Sequence, residues 1–420
     1  MKKFYIILIV LFAVNNVNAQ WVPQNSGTTY GLKSVYFKDA NSGIAVGDSG
    51  SILKTTDGGT NWVPQNSGTL HSLSSVYFID DMTGYAVGDS GTILKTTDGG
   101  TNWVPQNSGT KYYLSSIHFP AADIGFIAGY GGEDTIKIFK TDNGGVTWIE
   151  KYSNYVSSYW GGFLNEIHFP DVNTGYAVGG YYGGSYPRIF YGSRILKTTD
   201  GGATWTNTNL GVAVPLSSVF FTDANTGYIV GILGTIKKTT DGGMNWLSQF
   251  SGTAANLFSV FFLDANTGYV VGDYGVIRKT TDGGTNWLSQ DSNIPGWLSS
   301  VHSPGVDTGY VVGINGTILK TTNGGGYPLG VYNQPSTTST LKIYPNPSST
   351  EVTIETSPTP TIPISTGSHL SIMNFIGQEI ITRQITGVKM LIDICNLPNG
   401  VYFVRMTNDR TVKVGKIIKQ

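Results

Sequence analysis

The chain of 420 residues has one cysteine, Cys395, so no disulfide can form within it. A lone thiol of this kind is expected to be a small buried hydrophobe rather than a reactive group. Charged residues are scarce at 13% while glycine reaches 56, which argues against a helical or disordered protein and for an all-β one. Beyond the first twenty residues no run approaches the ~20 apolar residues a membrane helix needs. Arginine and glutamate are nearly missing from residues 21–325, where only Arg188, Arg194, Arg278, Glu133, Glu150 and Glu166 occur. The net charge is −1 and the main body is mildly acidic, which argues against non-specific nucleic-acid binding.

What is present begins with an export signal. Lys2 and Lys3 precede an apolar stretch, Tyr5–Val14, and a small-residue cleavage site, Val17-Asn18-Ala19, before Gln20. Residues 1–19 are expected to be removed, and no cysteine follows to carry a lipid anchor.

The body is a repeat. One turn recurs at Asp57, Asp98, Asn143, Asp200, Asp241, Asp282 and Asn323, with spacings of 41, 45, 57, 41, 41 and 41. A period near 41 with several short strands per unit predicts propeller blades of four strands. The strands are expected at Leu32–Phe37, Gly43–Gly47 and Ser51–Thr55, with a fourth starting at Trp62. Six turns are followed by a tryptophan: Trp62, Trp103, Trp148, Trp205, Trp246 and Trp287. The seventh has none, but Trp21–Gly27 repeats Trp62–Gly68 letter for letter. Residues 20–326 are therefore expected to form a seven-bladed β-propeller closed by the N-terminal strand, which would remove two exposed sheet edges.

The run Thr55-Thr56-Asp57-Gly58-Gly59-Thr60-Asn61-Trp62 resembles the Asp-box of sialidases and other BNR-repeat propellers. With Gly-Tyr-Ala-Val-Gly before the box, as at Gly84–Gly88, the longer unit is similar to the photosystem II assembly/stability-factor-like family. The resemblance implies that the seven Asp/Asn positions are structural turns remote from any active site. The arginine-rich surface of that family has no counterpart here.

The length anomalies fall at Tyr130–Lys137, Ile149–Phe163 and Gly180–Ser193, expected to be enlarged loops on one rim above two adjacent blades. They carry Tyr152, Tyr155, Tyr159, Trp160, Tyr181, Tyr182, Tyr186 and Tyr191, a composition suited to binding a glycan or a protein. A sialidase-like enzyme would need an arginine triad that three scattered arginines do not supply. A paired-carboxylate hydrolase through Asp134, Glu150 or Glu166 is the alternative. His118, His168 and His302 occupy the strand position filled by Tyr36, Tyr77, Phe220 and Phe261, which reads as packing rather than metal ligation. No cofactor, metal or catalytic residue is expected.

After a polar linker, residues 327–340, the composition changes. Alternating apolar strands between Pro/Asn/Gly turns over residues 341–420 predict a small β-sandwich. Three motifs stand out: Tyr344-Pro345-Asn346-Pro347, Leu397-Pro398-Asn399-Gly400-Val401-Tyr402, and Lys416-Ile417-Ile418-Lys419. Together they resemble the type A sorting domain of the type IX secretion system. That resemblance implies recognition by the outer-membrane translocon and a protein that is secreted or attached to the outer surface of a Gram-negative cell.

Overall fold

The computed structural model describes residues 21–131, 135–155, 161–183, 190–208, 214–325, 341–356, 369–374, 379–385, 389–407 and 412–420. The chain divides into two compact units between Gly330 and Val331.

In the first unit each repeat is one four-stranded antiparallel sheet. The first blade runs Leu32–Phe37, Gly43–Gly47, Ile52–Thr55 and Val63–Gln65, hydrogen-bonded in that order. The second strand is buried at all five positions because it packs between neighbouring sheets. Its end glycines permit this: a Cβ on Gly43 would strike the Phe37 ring, and one on Gly47 the Gly31 carbonyl. The outermost strand is short in every blade but the third and, in the first, second and seventh blades, has proline at its centre (Pro64, Pro105 and Pro23). A three-residue edge lacking one N–H offers little template to another chain.

The seventh sheet contains Leu298–His302, Gly309–Gly313, Ile318–Thr321 and, as its outermost strand, Val22–Gln24. Val22, Pro23 and Gln24 stand opposite Lys320, Leu319 and Ile318, the register in which Val63, Pro64 and Gln65 stand opposite Lys54, Leu53 and Ile52. The two ends of the wheel therefore share one sheet. Trp62 meets Phe37 edge-on at 5.8 Å, and the other downstream tryptophans repeat this within their own blades. The seventh blade has Ser303 where that phenylalanine belongs. Trp21 sinks into the space, fully buried and edge-on to Tyr269 at 5.8 Å.

Two unbroken rings run round the axis. In one, a side chain of each innermost strand accepts the next blade's backbone N–H. Ser34 accepts from Val76, Ser75 from Ile117, Ser116 from Ile167, Glu166 from Val219, Ser218 from Val260, Ser259 from Val301 and Ser300 from Val35. In the other, Tyr36, Tyr77, His118, His168, Phe220, Phe261 and His302 touch in sequence, with centroids 4.6–5.6 Å apart, and His302 returns to Tyr36. At five junctions a tyrosine and a lysine of one blade donate to a glycine carbonyl in the next turn. Tyr228 and Lys238 do so to Gly283 at 2.8 and 2.6 Å, and Tyr310 and Lys320 to Gly58 across the closure at the same distances. The first and third blades carry Ile44 and Phe126 in place of the tyrosine.

The third and fourth repeats depart from the expected enlarged loops. Much of the extra length continues the strands: Gly125–Gly131, Thr135–Thr141 and Ile149–Tyr155 in the third blade, Gly175–Gly183 and Phe190–Thr198 in the fourth. Tyrosine is a strong strand former, and each added residue pair extends a ladder already in register.

The second unit is a sandwich of two sheets, one of Leu341–Tyr344, Glu351–Thr356 and Lys389–Asp393, the other of Glu379–Gln384, His369–Met373, Gly400–Thr407 and Val412–Lys419. Its core includes Val352, Ile354, Leu370, Ile372, Ile392, Ile394, Val404 and Ile417. Cys395 is exposed, contrary to the expectation of a buried thiol. It lies just past the strand Lys389–Asp393, in a turn where Asp393 Oδ1 accepts its N–H at 2.8 Å, so the turn points the side chain outward.

Candidate functional site

The axial channel opens at one end into a cavity of about 540 Å³. Lys33, Ser74, Ser115, Asn165, Ser217, Phe258 and Ser299 line it, one residue from each blade. Each follows the first leucine of its innermost strand, where a bulge between Leu32 and Ser34, repeated in the other blades, turns this residue toward the mouth. Tyr113, Tyr130, Phe163, Pro215 and Ile232 complete the wall. One side is aromatic: the rings of Tyr113 and Tyr130 lie 5.0 Å apart, and Phe163 stands 6.1 Å from Tyr130. The side of the seventh, first and second blades is polar, with Ser299, Ser74 and Lys33, the last paired to Asp48 at 3.1 Å. These lining residues are not among those singled out from the sequence. The signal was present as the position in Leu-x-x-Val that varies most, from Lys to Ser, Asn and Phe, while the leucine before it repeats in every blade.

The extended strands of the third and fourth blades rise at this same end. Tyr155, opposite Thr135, is 59% exposed. Tyr181, opposite Gly192, is half-buried and covers it, since a Cβ on Gly192 would enter the Tyr181 ring. Tyr152 is not on the open surface, because it packs against the core cluster containing Phe126 and Leu164. Tyr182 stands opposite Tyr191 in the backbone register of the fourth-blade hairpin. Tyr159, Trp160 and Tyr186 lie outside the described residues. None of Tyr152, Tyr155 and Tyr181 lines the cavity itself.

Below the mouth the innermost strands carry Glu166 and three histidines. Burial pushes Glu166 up to about 7 and lowers His168 and His302 to about 4. His118 is held well below the ordinary histidine value by burial and by His168. All three histidines are neutral at pH 7, and no trio of His, Cys, Asp or Glu among the described residues is placed to hold a metal. Of the carboxylates weighed as catalytic, Glu150 pairs with Lys137 at 2.6 Å and Glu166 caps the Val219 N–H at 2.8 Å, while Asp134 lies outside the described residues.

The recurring turns occupy the opposite end of the wheel. The Thr55 hydroxyl donates to Asp57 Oδ1 at 2.9 Å and accepts the Gly59 N–H at 2.8 Å. Asp57 Oδ1 also accepts the Asn61 N–H at 2.9 Å. The threonine-to-Asp or Asn bond repeats at Asp98, Asn143, Asp200, Asp241, Asp282 and Asn323. Such bonds hold Asp200 and Asp241 at about 2, with Thr204 and Asn245 as the leading donors. Asn serves equally at two turns, so acceptor geometry rather than charge is what the position requires.

In the sandwich the sequence motifs meet at the last strand. Asn346 Nδ2 donates to the Lys416 carbonyl at 2.6 Å, and its Oδ1 accepts the Ile418 N–H at 2.8 Å. Tyr402 stands opposite Ile417, and its hydroxyl donates to the Pro398 carbonyl at 2.7 Å. Tyr344, Pro345, Pro347, Gly400 and Lys416 are exposed, Leu397 packs against the core, and Lys419 is buried.

A closed propeller of seven blades joined to a sandwich with these motifs defines an exported repeat protein with a sorting tail. Residues 342–420 match the secretion system C-terminal sorting domain, which places the protein at the outer surface of a Gram-negative cell or in the medium. The chain belongs to the family described as photosynthesis system II assembly factor YCF48, which matches residues 66–156 and 197–328. Among solved structures it is similar to YCF48 from Cyanidioschyzon merolae at 21% identity and a TM-score of 0.57, covering 72% of this chain and 98% of that one. A YCF48 bound to D1 peptide matches at 20% and 0.57, covering 72% and 97%. The WD40 propeller domain of Doa1 matches at 12% and 0.53, covering 71% and 96%. At these identities the likeness is one of fold. No curated protein matches the chain by sequence.

Proposed function

We infer that the protein is a non-catalytic binding module that presents the channel mouth and its raised aromatic rim to an extracellular glycan or protein. The observation that carries this reading is the asymmetry of the wheel. Seven blades repeat the same inter-blade packing, yet among the described residues only the third and fourth lengthen their strands, both at the mouth end and both with tyrosine. Aromatic rings beside serine and asparagine suit a ligand that stacks and hydrogen-bonds, whereas the carboxylates of a hydrolase would have to stand together. Glu150 and Glu166 are each engaged, one on an outer strand and one on an inner.

In this reading residues 1–19 are a signal peptide, 20–326 the propeller, 327–340 a linker and 341–420 the tail read by the type IX translocon. The seven Asp/Asn turns are structural Asp-boxes. A glycan array probed with the mature chain, alongside a turnover assay on the same glycans, tests the function. Binding without turnover that disappears when Trp160, Tyr181 and Tyr182 become alanine is the expected result. Turnover would install a hydrolase instead, and binding indifferent to those substitutions would remove the rim. For export, residues 341–420 fused to a reporter should carry it across the outer membrane of a competent host, and a reporter left in the periplasm would refute that role.

A further inference from the structure

The turn after the second strand opens with Asp48 in the first blade and Asp273 in the sixth. Asp48 Oδ1 has two donors, Lys33 Nζ at 3.1 Å and Ser72 Oγ of the next blade at 3.2 Å. Counted from Leu257 and Leu298, the equivalent positions in the sixth and seventh blades are Phe258 and Trp297. Both donors have become rings. Asp273 Oδ2 accepts Asn256 Nδ2 at 2.7 Å, but Oδ1 is buried with no hydrogen-bond partner, and the residue is 6% exposed. A carboxylate oxygen taken from water and given no donor is costly to hold in a folded protein.

By the repeat equivalence, the residues that stand here where Lys33 and Ser72 stand beside Asp48 are ones that suit a cation. The rings of Phe258 and Trp297 lie 6.0 Å apart at 56°, Phe258 lines the channel mouth, and Trp297 is 55% exposed. Tyr274 follows Asp273 directly, held at φ 57° and 75% exposed, a conformation that strains a bulky residue. The Gly275 N–H donates to the Gly296 carbonyl at 2.7 Å, which ties the Tyr274 turn to the segment carrying Trp297. Ring faces attract an ammonium, and its N–H groups would supply the missing donor to Oδ1.

We propose that Asp273, Phe258, Trp297 and Tyr274 form a subsite for a primary ammonium group, as carried by a lysine side chain or an amino sugar. In the first blade the chain's own Lys33 fills the corresponding place. The proposal rests on the reading of the mouth as a binding site but uses residues outside the raised rim, and small amines test it without the natural ligand. The intact chain is titrated with glucosamine and Nα-acetyl-lysine, with N-acetylglucosamine and Nα,Nε-diacetyl-lysine as neutral counterparts. Saturable binding of an amine but not of its acetylated form is expected, and the arm that binds more tightly identifies the source of the ammonium.

Asp273→Asn should weaken that binding by at least about tenfold while the protein stays folded. The double change Phe258→Lys with Trp297→Ser restores the two donors of the first blade, and should abolish amine binding with an unchanged or higher melting temperature. No saturable binding of either amine, or binding undiminished in Asp273→Asn, overturns the subsite. Glycan-array binding that persists in that event leaves the proposed function standing.

Discussion

The first two blades and the next two have the same interior and different rims. Val35, Val76, Ile117 and Ile167 all sit in inter-blade cores and all give their N–H to the preceding blade. Outside that frame the first two blades end in three-residue strands with a central proline, whereas the third carries a seven-residue outer strand, Ile149–Tyr155. Burial leaves little freedom where two sheets meet, so the interior repeats. The rim is free to vary without cost to the wheel, and there the chain concentrates its tyrosines.

The largest effect is expected where the frame closes. Trp21→Ala should lower stability by about 3–5 kcal/mol, more than Trp62→Ala, which removes a slightly more exposed ring, and thermal melting of the two variants checks the order. Next is Glu166, the one carboxyl in a ring of serines. Its folded value near 7 lies above the ordinary ~4.3, so its contribution is full below that lower value and is lost as pH rises through 7. Glu166→Gln should therefore gain on the parent between pH 5 and 8 by on the order of 3 kcal/mol in urea melts. The histidines act in the opposite sense. His168 and His302, depressed to about 4, stabilise fully above ~6.5 and lose that contribution as pH falls, an acid limb that Glu166→Gln should leave intact.

Smaller effects sharpen the comparison between junctions. Tyr228→Phe should cost about 1 kcal/mol by deleting the 2.8 Å bond to Gly283. Phe126→Tyr, at a junction that lacks this bond, should gain up to about 1 kcal/mol if the repeat equivalence holds, and a loss would show that the third junction differs in shape. Tyr155→Ala should change stability by no more than about 0.5 kcal/mol while weakening ligand binding.

Closure was legible because it is a matter of counting: Thr321–Gly325 lacks a tryptophan and Trp21 supplies one. The ring of aromatic side chains was half-legible, since rings recur at Tyr36, Tyr77 and His118, but that they touch around an axis follows only from the pairing of blades. The raised strands are not legible as strands because Gly179–Gly183 and Phe190–Ser193 mix glycine with tyrosine and show no regular alternation. Cys395 was judged by residue type, whereas the Asp393 turn decides its exposure. The Asp273 site could not be read at all, since the residues that answer Asp48 and fail to answer Asp273 come from two different blades.

Hydrogen exchange at two identical tripeptides tests the architecture most directly. Val22-Pro23-Gln24 and Val63-Pro64-Gln65 have the same sequence and stand in the same register on their partner strands. Their amides should exchange equally slowly if the wheel is closed. Exchange at Val22 and Gln24 at free-peptide rates, with Val63 and Gln65 protected, would contradict it.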